Sequence, residues 1–124
     1  MSKPSVAIIG ASNSRDKFGN KAVRAYLQQG FTVYPVNPKE SRVEELPAFR
    51  SILEIPGPVD RASFYIPPAA GLKVIEEVAK KGVKEVYLNP GSGSPELVEK
   101  ARNLGIEPIV ACSILAVGVQ PSSL

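Results

Sequence analysis

Short apolar runs alternate with amphipathic stretches along the whole chain. Ser5-Val6-Ala7-Ile8-Ile9 is aliphatic and β-branched, and predicts a buried strand. A loop of small and polar residues, Gly10 to Asn20, follows it. Lys21 to Gln29 then has helical composition, with Val23, Tyr26 and Leu27 at helical spacing and Gly30 where a helix C-terminal glycine belongs. Phe31 to Val36 predicts a second strand, and Pro35 within it implies that the strand ends early or lies where its N–H is not needed. Glu40 to Pro58 is the least regular stretch, broken by Pro47, Pro56 and Pro58, with one helical turn at Ser51 to Glu54. Arg61 to Ile66 predicts a third strand. Pro67-Pro68 ends it and opens a helix with Leu72, Ile75, Val78 and Ala79 on one face and Gly82 at its stop. Lys84 to Leu88 predicts a fourth strand, followed by Asn89-Pro90-Gly91-Ser92-Gly93. Ser94 can cap the next helix, Pro95 suits its first turn and Glu96 complements its dipole. Leu97, Val98, Ala101 and Leu104 predict its buried face, and Gly105 its end. Glu107 to Ala111 predicts a fifth strand, leaving a tail from Cys112 to Leu124.

Strands that alternate with helices predict an α/β fold: a Rossmann-like, doubly wound, five-stranded parallel sheet with helices on both faces. The expected strand order is 3-2-1-4-5. Ligands of such sheets sit beyond the carboxyl ends of the strands, where the strand order reverses. On that order the reversal lies between the first and fourth strands. It gathers the loops Gly10 to Asn20, Asn37 to Arg42, Ile66 to Ala69 and Asn89 to Ser94. These loops hold small residues, prolines, asparagines and cations with few acids, which suits an anionic ligand. The first loop stands between a strand and a helix start, where free N–H groups can face a phosphate. Gly10 permits a sharp turn, and Gly19 allows a ligand or the neighbouring strand to come close. On this reading Gly10→Val abolishes binding by filling the phosphate approach, and Lys39→Ala weakens it less.

Composition narrows the choice. The 124 residues make one domain, 1–124, and 44% hydrophobic residues suffice for a core. No apolar run is long enough to span a bilayer and no signal peptide is visible, so no membrane partner is expected and the cytoplasm is the simplest location. The net charge is +3, from 15 basic and 12 acidic residues with no basic block, so no nucleic-acid partner is expected. There is no histidine and a single cysteine, Cys112. A zinc site built on His and Cys is therefore excluded, as are a histidine base and a Ser-His-Asp triad. No metal site and no catalytic residue are expected, which favours a binding module over an enzyme. Cys112 reads as a buried small hydrophobe or as a reactive thiol.

The dinucleotide fingerprint G-x-G-x-x-G is absent: Ser12 stands at its second glycine, and Gly19 lies beyond the spacing. No acid ends the second strand to meet a ribose hydroxyl. Lys39 and Arg42 follow instead, and cations there suit a phosphorylated ribose, unless they are merely surface charges. NAD is disfavoured, whereas NADP and coenzyme A both carry that extra phosphate. The P-loop pattern is absent as well.

Val6-Ala7-Ile8-Ile9-Gly10-Ala11-Ser12, Lys17-Phe18-Gly19-Asn20, Val33-Tyr34-Pro35-Val36-Asn37-Pro38, Pro56-Gly57-Pro58-Val59-Asp60, Pro67-Pro68 and Leu88-Asn89-Pro90-Gly91 together resemble the small stand-alone CoA-binding proteins. These are similar to the N-terminal CoA-binding domain of the succinyl-CoA synthetase α subunit. The resemblance runs from about Val6 to Val119 and implies a Rossmann-like fold that binds coenzyme A. It places Gly10, Ala11, Ser12, Lys17, Phe18, Gly19 and Asn20 around the phosphates and adenosine. Pro38 and Lys39 come near the adenosine, with Lys39 on the ribose phosphate. Ile66, Pro67 and Pro68 line the ligand path, and Asn89 and Pro90 border the pantetheine arm. On residue chemistry alone, Pro67-Pro68 equally serves to stop a strand and start a helix, Asn89-Pro90-Gly91 to make a turn, and Phe18 to fill the core. The synthetase's further domains and its phosphorylated histidine have no counterpart here, so ligase activity does not carry over. The expectation is a protein that binds coenzyme A or an acyl-CoA without catalysis, with a protein partner or a second copy as further options. The alternative is a small NADP-dependent reductase or reductase subunit, for which Tyr34, Tyr65 and Tyr87 are the available proton donors.

Overall fold

Strand β1 (Ser5–Ile9) is buried along its whole length, and its residues alternate between two cores. Val6 and Ile8 face one side, with Ala22, Val23, Tyr26 and Val33. Ala7 and Ile9 face the other, with Phe64, Ile75, Val86 and Leu97. A strand covered on both faces needs a continuous apolar run, which is why this one carries no alternation. The computed structural model describes residues 3–124. From β1 the chain runs through α1 (Phe18–Gln28), β2 (Thr32–Val36), a small hairpin of β3 (Arg42–Val43) and β4 (Leu46–Pro47), and a 3-10 turn at Ile52–Glu54. It continues through β5 (Arg61–Phe64), α2 (Pro68–Lys81), β6 (Glu85–Leu88), α3 (Pro95–Asn103), β7 (Ile109–Val110), α4 (Ser113–Ala116) and a final 3-10 turn at Pro121–Ser123.

The main sheet is parallel and five-stranded, in the order β2-β1-β5-β6-β7. The α/β, Rossmann-like class is as expected, but the strand order is not. Counting sheet strands along the chain it is 2-1-3-4-5, not 3-2-1-4-5: the third strand pairs with β1 rather than with β2. The reason lies on the outer edge of β2. Pro35 has no N–H to offer there, and the edge is closed by Phe49, whose N–H donates to Pro35 O at 2.9 Å and whose carbonyl accepts from Asn37 N–H at 2.8 Å. The chain between β2 and β5 holds no crossover helix, only the hairpin and a turn that buries Ile52 and Ile55 against the α2 side. Asp60 then sets the register of β5, accepting from the Ser5 N–H at 2.8 Å and the Ser5 hydroxyl at 3.1 Å. The reversal of strand order therefore falls between β1 and β5, not between the first and fourth strands.

Helix ends follow their local chemistry. Ser94 Oγ accepts from Leu97 N–H at 3.1 Å, with Pro95 in the first turn of α3. Gly82 closes α2 at φ 80°. Leu104, expected on the buried face of α3, lies past its end and is 41% exposed. The tail is not a loose end: Ile114 and Val119 bury into the α1-side core, and Tyr26 Oη donates to Ser113 O at 3.3 Å.

The tightest contact is between the tip of β1 and the first turn of α1. A Cβ on Gly19 would collide with Gly10 O, where backbone has no freedom to yield. Gly30, at φ 82°, has open space around it. Gly19→Ala is therefore expected to destabilise the fold by about 3 kcal/mol through overpacking. Gly30→Ala should cost only about 1 kcal/mol through its left-handed backbone. Urea midpoints of the two variants check the contrast.

Candidate functional site

Helix α1 begins at Phe18, ahead of the expected Lys21, because the Lys17 carbonyl accepts from both Asn20 N–H at 3.1 Å and Lys21 N–H at 3.0 Å. Its cap residue is Lys17, with no side-chain cap and no acid in the first turn. The Phe18 and Gly19 N–H groups have no hydrogen-bond partner among the described residues. A lysine at the positive end of a helix dipole is locally unfavourable and becomes favourable beside an anion. Lys21 lies one turn on, its Nζ 5.1 Å from the centre of the Phe18 ring.

The loop before α1 is held by its own polar groups. Ser12 Oγ accepts from Ser14 N–H at 3.0 Å, and Ser14 Oγ donates to Asp16 at 2.6 Å, which holds the exposed Asp16 carboxyl below its usual pKa. Asn13 donates to Glu40 and to the Arg42 carbonyl. Asn20 is fully buried: it donates to Ser12 O and Glu44, both at 2.9 Å, and accepts from Arg24 at 2.7 Å. Asn37 donates to Ala11 O at 2.7 Å and accepts from Lys39 N–H at 2.7 Å, tying the loops after β1 and β2 together.

Three adjoining depressions run across the carboxyl ends of the strands. The first, about 310 Å³, has an apolar floor of Ile9, Val36, Ile66 and Val74, with Lys39, Arg50 and Glu77 also in its lining. The second, about 400 Å³, is lined by Gly10, Lys17, Phe18, Gly19, Pro67 and Pro90 among others, and shares Gly10 and Ile66 with the first. The third, about 240 Å³, lies beneath the tail and shares Phe18, Tyr65 and Pro90 with the second. A larger depression of about 730 Å³ lies over α3. Its helix start is capped by Ser94 at Leu97 N–H, has no N–H at Pro95 and carries the Glu96 carboxylate, so it suits an anion less than α1 does.

The structure thus brings Gly10, Lys17, Phe18, Gly19, Pro38, Lys39, Ile66, Pro67, Asn89 and Pro90 onto one groove. Other expected site residues lie elsewhere or are already engaged. Ala11 is fully buried, its N–H on Val36 O and its carbonyl on Asn37. Asn20 and Ser12 hold the loop, and Pro68 opens α2. Arg42, grouped with Lys39 as a candidate cation, instead donates to the Glu45 carbonyl within the hairpin. Arg50 lines the groove beside Lys39 and was not among the expected residues. Only the Phe49–β2 contact places it, and no local pattern signals that pairing. Gly10 needs its φ of 93°, and a Cβ there would meet Tyr65 O and Ile66 at 2.9 Å. Gly10→Val therefore damages the fold itself and does not isolate phosphate binding.

At the far end, Asn89 is buried and engaged on every side. It donates to Ser63 Oγ and Phe64 O, and accepts from Ser113 N–H, each at 2.8 Å. Ser113 Oγ lies 2.6 Å from Ser63 Oγ and 3.0 Å from Tyr65 Oη. Burial pushes the Tyr65 phenol up to about 12. The phenol therefore keeps its proton at neutral pH and is a weaker acid than a free tyrosine. Cys112 is a free, half-buried thiol in the wall of the third depression.

A family model described as a CoA binding domain matches residues 4–118. The chain belongs to this CoA-binding family. It is 36% identical over 115 residues to the α subunit of ADP-forming acetate–CoA ligase II of Pyrococcus furiosus, covering 84% of this chain and 25% of that subunit. It is 41% identical over 98 residues to the ADP-forming acetate–CoA ligase II of Archaeoglobus fulgidus, covering 77% of this chain and 14% of that ligase. The CoA-binding chain thus spans about a quarter or less of the length of these relatives. A conserved hypothetical protein from Pyrococcus furiosus shares the fold at a TM-score of 0.83 and 32% identity, covering 93% of this chain and 99% of that one.

The raised Tyr65 pKa carries a sign for stability. The folded state holds the phenol proton more tightly than the unfolded state, whose tyrosines titrate near pH 10. The stabilisation is complete below about pH 10 and is lost as pH rises towards about 12, amounting to about 2–3 kcal/mol. Tyr65→Phe should flatten this alkaline limb in urea unfolding between pH 9 and about 12, while costing about 1 kcal/mol at neutral pH for the lost Ser113 contact.

Proposed function

We propose that this CoA-binding domain holds coenzyme A, or an acyl-CoA, along the three-part groove and contributes no catalysis of its own. The pyrophosphate sits at the start of α1, on the Phe18 and Gly19 N–H groups, with Lys17 neutralising charge. The adenosine fills the first depression, where Lys39 and Arg50 meet the ribose phosphate. The pantetheine arm runs past Pro67 and Pro90. The observation that carries this assignment is the coincidence of a CoA-binding family match over residues 4–118 with an uncapped helix start opening on a groove flanked by cations.

That the domain contributes no catalysis belongs to the same proposal; the Tyr65 hydroxyl and the Asn89 amide, both in the lining, are engaged in bonds within the protein. The relatives reported above are CoA ligases or their subunits, which lends no support to an NADP reductase. No helix among the described residues is long and apolar enough to cross a membrane. A cytoplasmic site of action belongs to the same proposal. So does a protein partner, because a relative matched over 84% of this chain is itself a subunit.

Thermal-shift titration tests the assignment, because a ligand that binds only the folded state raises the melting temperature. Coenzyme A should raise it, dephospho-CoA should raise it less, and NAD should leave it unmoved. Lys39→Ala and Arg50→Ala should each weaken coenzyme A by about tenfold, equivalent to ~1.4 kcal/mol, and shrink its advantage over dephospho-CoA. A shift with NADP and none with coenzyme A would overturn the proposal.

A further inference from the structure

The third depression differs in character from the other two. Its walls are Phe18, Tyr65, Asn89, Pro90, Cys112 and Pro121, none of them charged. Its polar side chains are already satisfied: both ends of the Asn89 amide are bonded within the protein, and Tyr65 Oη is engaged with Ser113. A guest therefore meets ring and pyrrolidine carbon, and no charged side chain lines the cavity itself. The tail provides part of the enclosure through Cys112 and Pro121, and it is held down by the Ser113 bonds and by the burial of Ile114 and Val119. Phe18, an aromatic side chain left 54% exposed, stands at the junction with the phosphate cleft.

We infer that this cavity receives the acyl group of an acyl-CoA and selects short, uncharged acyl chains over dicarboxylic ones. The inference rests on the coenzyme A assignment of the groove. An arm that leaves the pyrophosphate at Gly19 and passes Pro90 has two directions open to it. One is the wide depression over α3, whose lining includes Glu99 and Arg102. The other is the smaller apolar cavity under the tail. An alkyl chain gains by leaving water for the second, by about fourfold in affinity for each methylene buried. A terminal carboxylate would lose its hydration there without a partner.

Cys112 is the chain's single cysteine, so its alkylation reports on the occupancy of this cavity directly. The test compares acetyl-, butyryl- and succinyl-CoA, thioesters with no free thiol to consume the reagent. Calorimetry sets the affinity of each, and iodoacetamide labelling is then followed at saturation. Butyryl-CoA should bind about fifteenfold more tightly than acetyl-CoA and slow Cys112 alkylation the most, with acetyl-CoA intermediate and succinyl-CoA nearly without effect. Cys112→Leu, which narrows the cavity, should bring butyryl-CoA down towards the affinity of acetyl-CoA. Equal affinity of the three thioesters with equal protection, or with none, would overturn the inference while leaving coenzyme A binding intact. If calorimetry shows no binding of any thioester or of coenzyme A, the groove assignment fails and the acyl cavity falls with it.

Discussion

The contact between Gly10 and Gly19 governs the architecture of the site. The carbonyl at the tip of β1 occupies the space that a side chain on the first turn of α1 would need. This closeness sets the helix start directly over the strand end, at the place where the sheet order reverses. It also explains why the loop between them is stitched by Ser12, Asn20 and Asn37 and leaves the helix donors alone. The donors at Phe18 and Gly19 have no partner among the described residues and stand beside a lysine, an arrangement that suits an anion.

A second constraint acts at the other end of the groove. Asn89 joins β5, β6 and the start of α4 through three buried hydrogen bonds, and Ser63 and Tyr65 complete the knot around Ser113. Small side chains make this possible: Ser63 faces α4 where a larger residue on β5 would push the tail away. The knot fixes Cys112 and Pro121 over the cavity beside Pro90. Two polar clusters, one at each side of the cleft, thus shape its ends without offering their own groups to a ligand.

Most elements were legible in the letters, because their signals are local. The continuous apolar run of β1, the Ser94-Pro95 start of α3 and the Gly82 end of α2 each act within a few residues. The strand order was not legible, although Pro35 carried the clue that β2 is an edge. Its outer side is closed by Phe49, a long-range pairing with no periodic signature. The hairpin between β3 and β4 turns on Glu44 and Glu45 at φ 48° and 67°, where glycine or asparagine is usual. Part of that strain is offset by tertiary bonds from Glu44 to Asn20 and Arg15. Among site residues, glycines and prolines were visible because backbone geometry demands them. The division between Arg42 and Arg50 was hidden, since it depends on which cation the hairpin turns away from the groove.

Membership of the CoA-binding family and the physical form of the groove meet at one point, the two free N–H groups of α1. Amide NMR of the nitrogen-labelled protein during a coenzyme A titration examines that point most directly. The account requires the Phe18 and Gly19 amides to shift downfield as a phosphate oxygen accepts from them, while the Leu97 amide, already bonded to Ser94, stays in place. Binding that leaves Phe18 and Gly19 unmoved, or that shifts chiefly the residues at the start of α3, would contradict it.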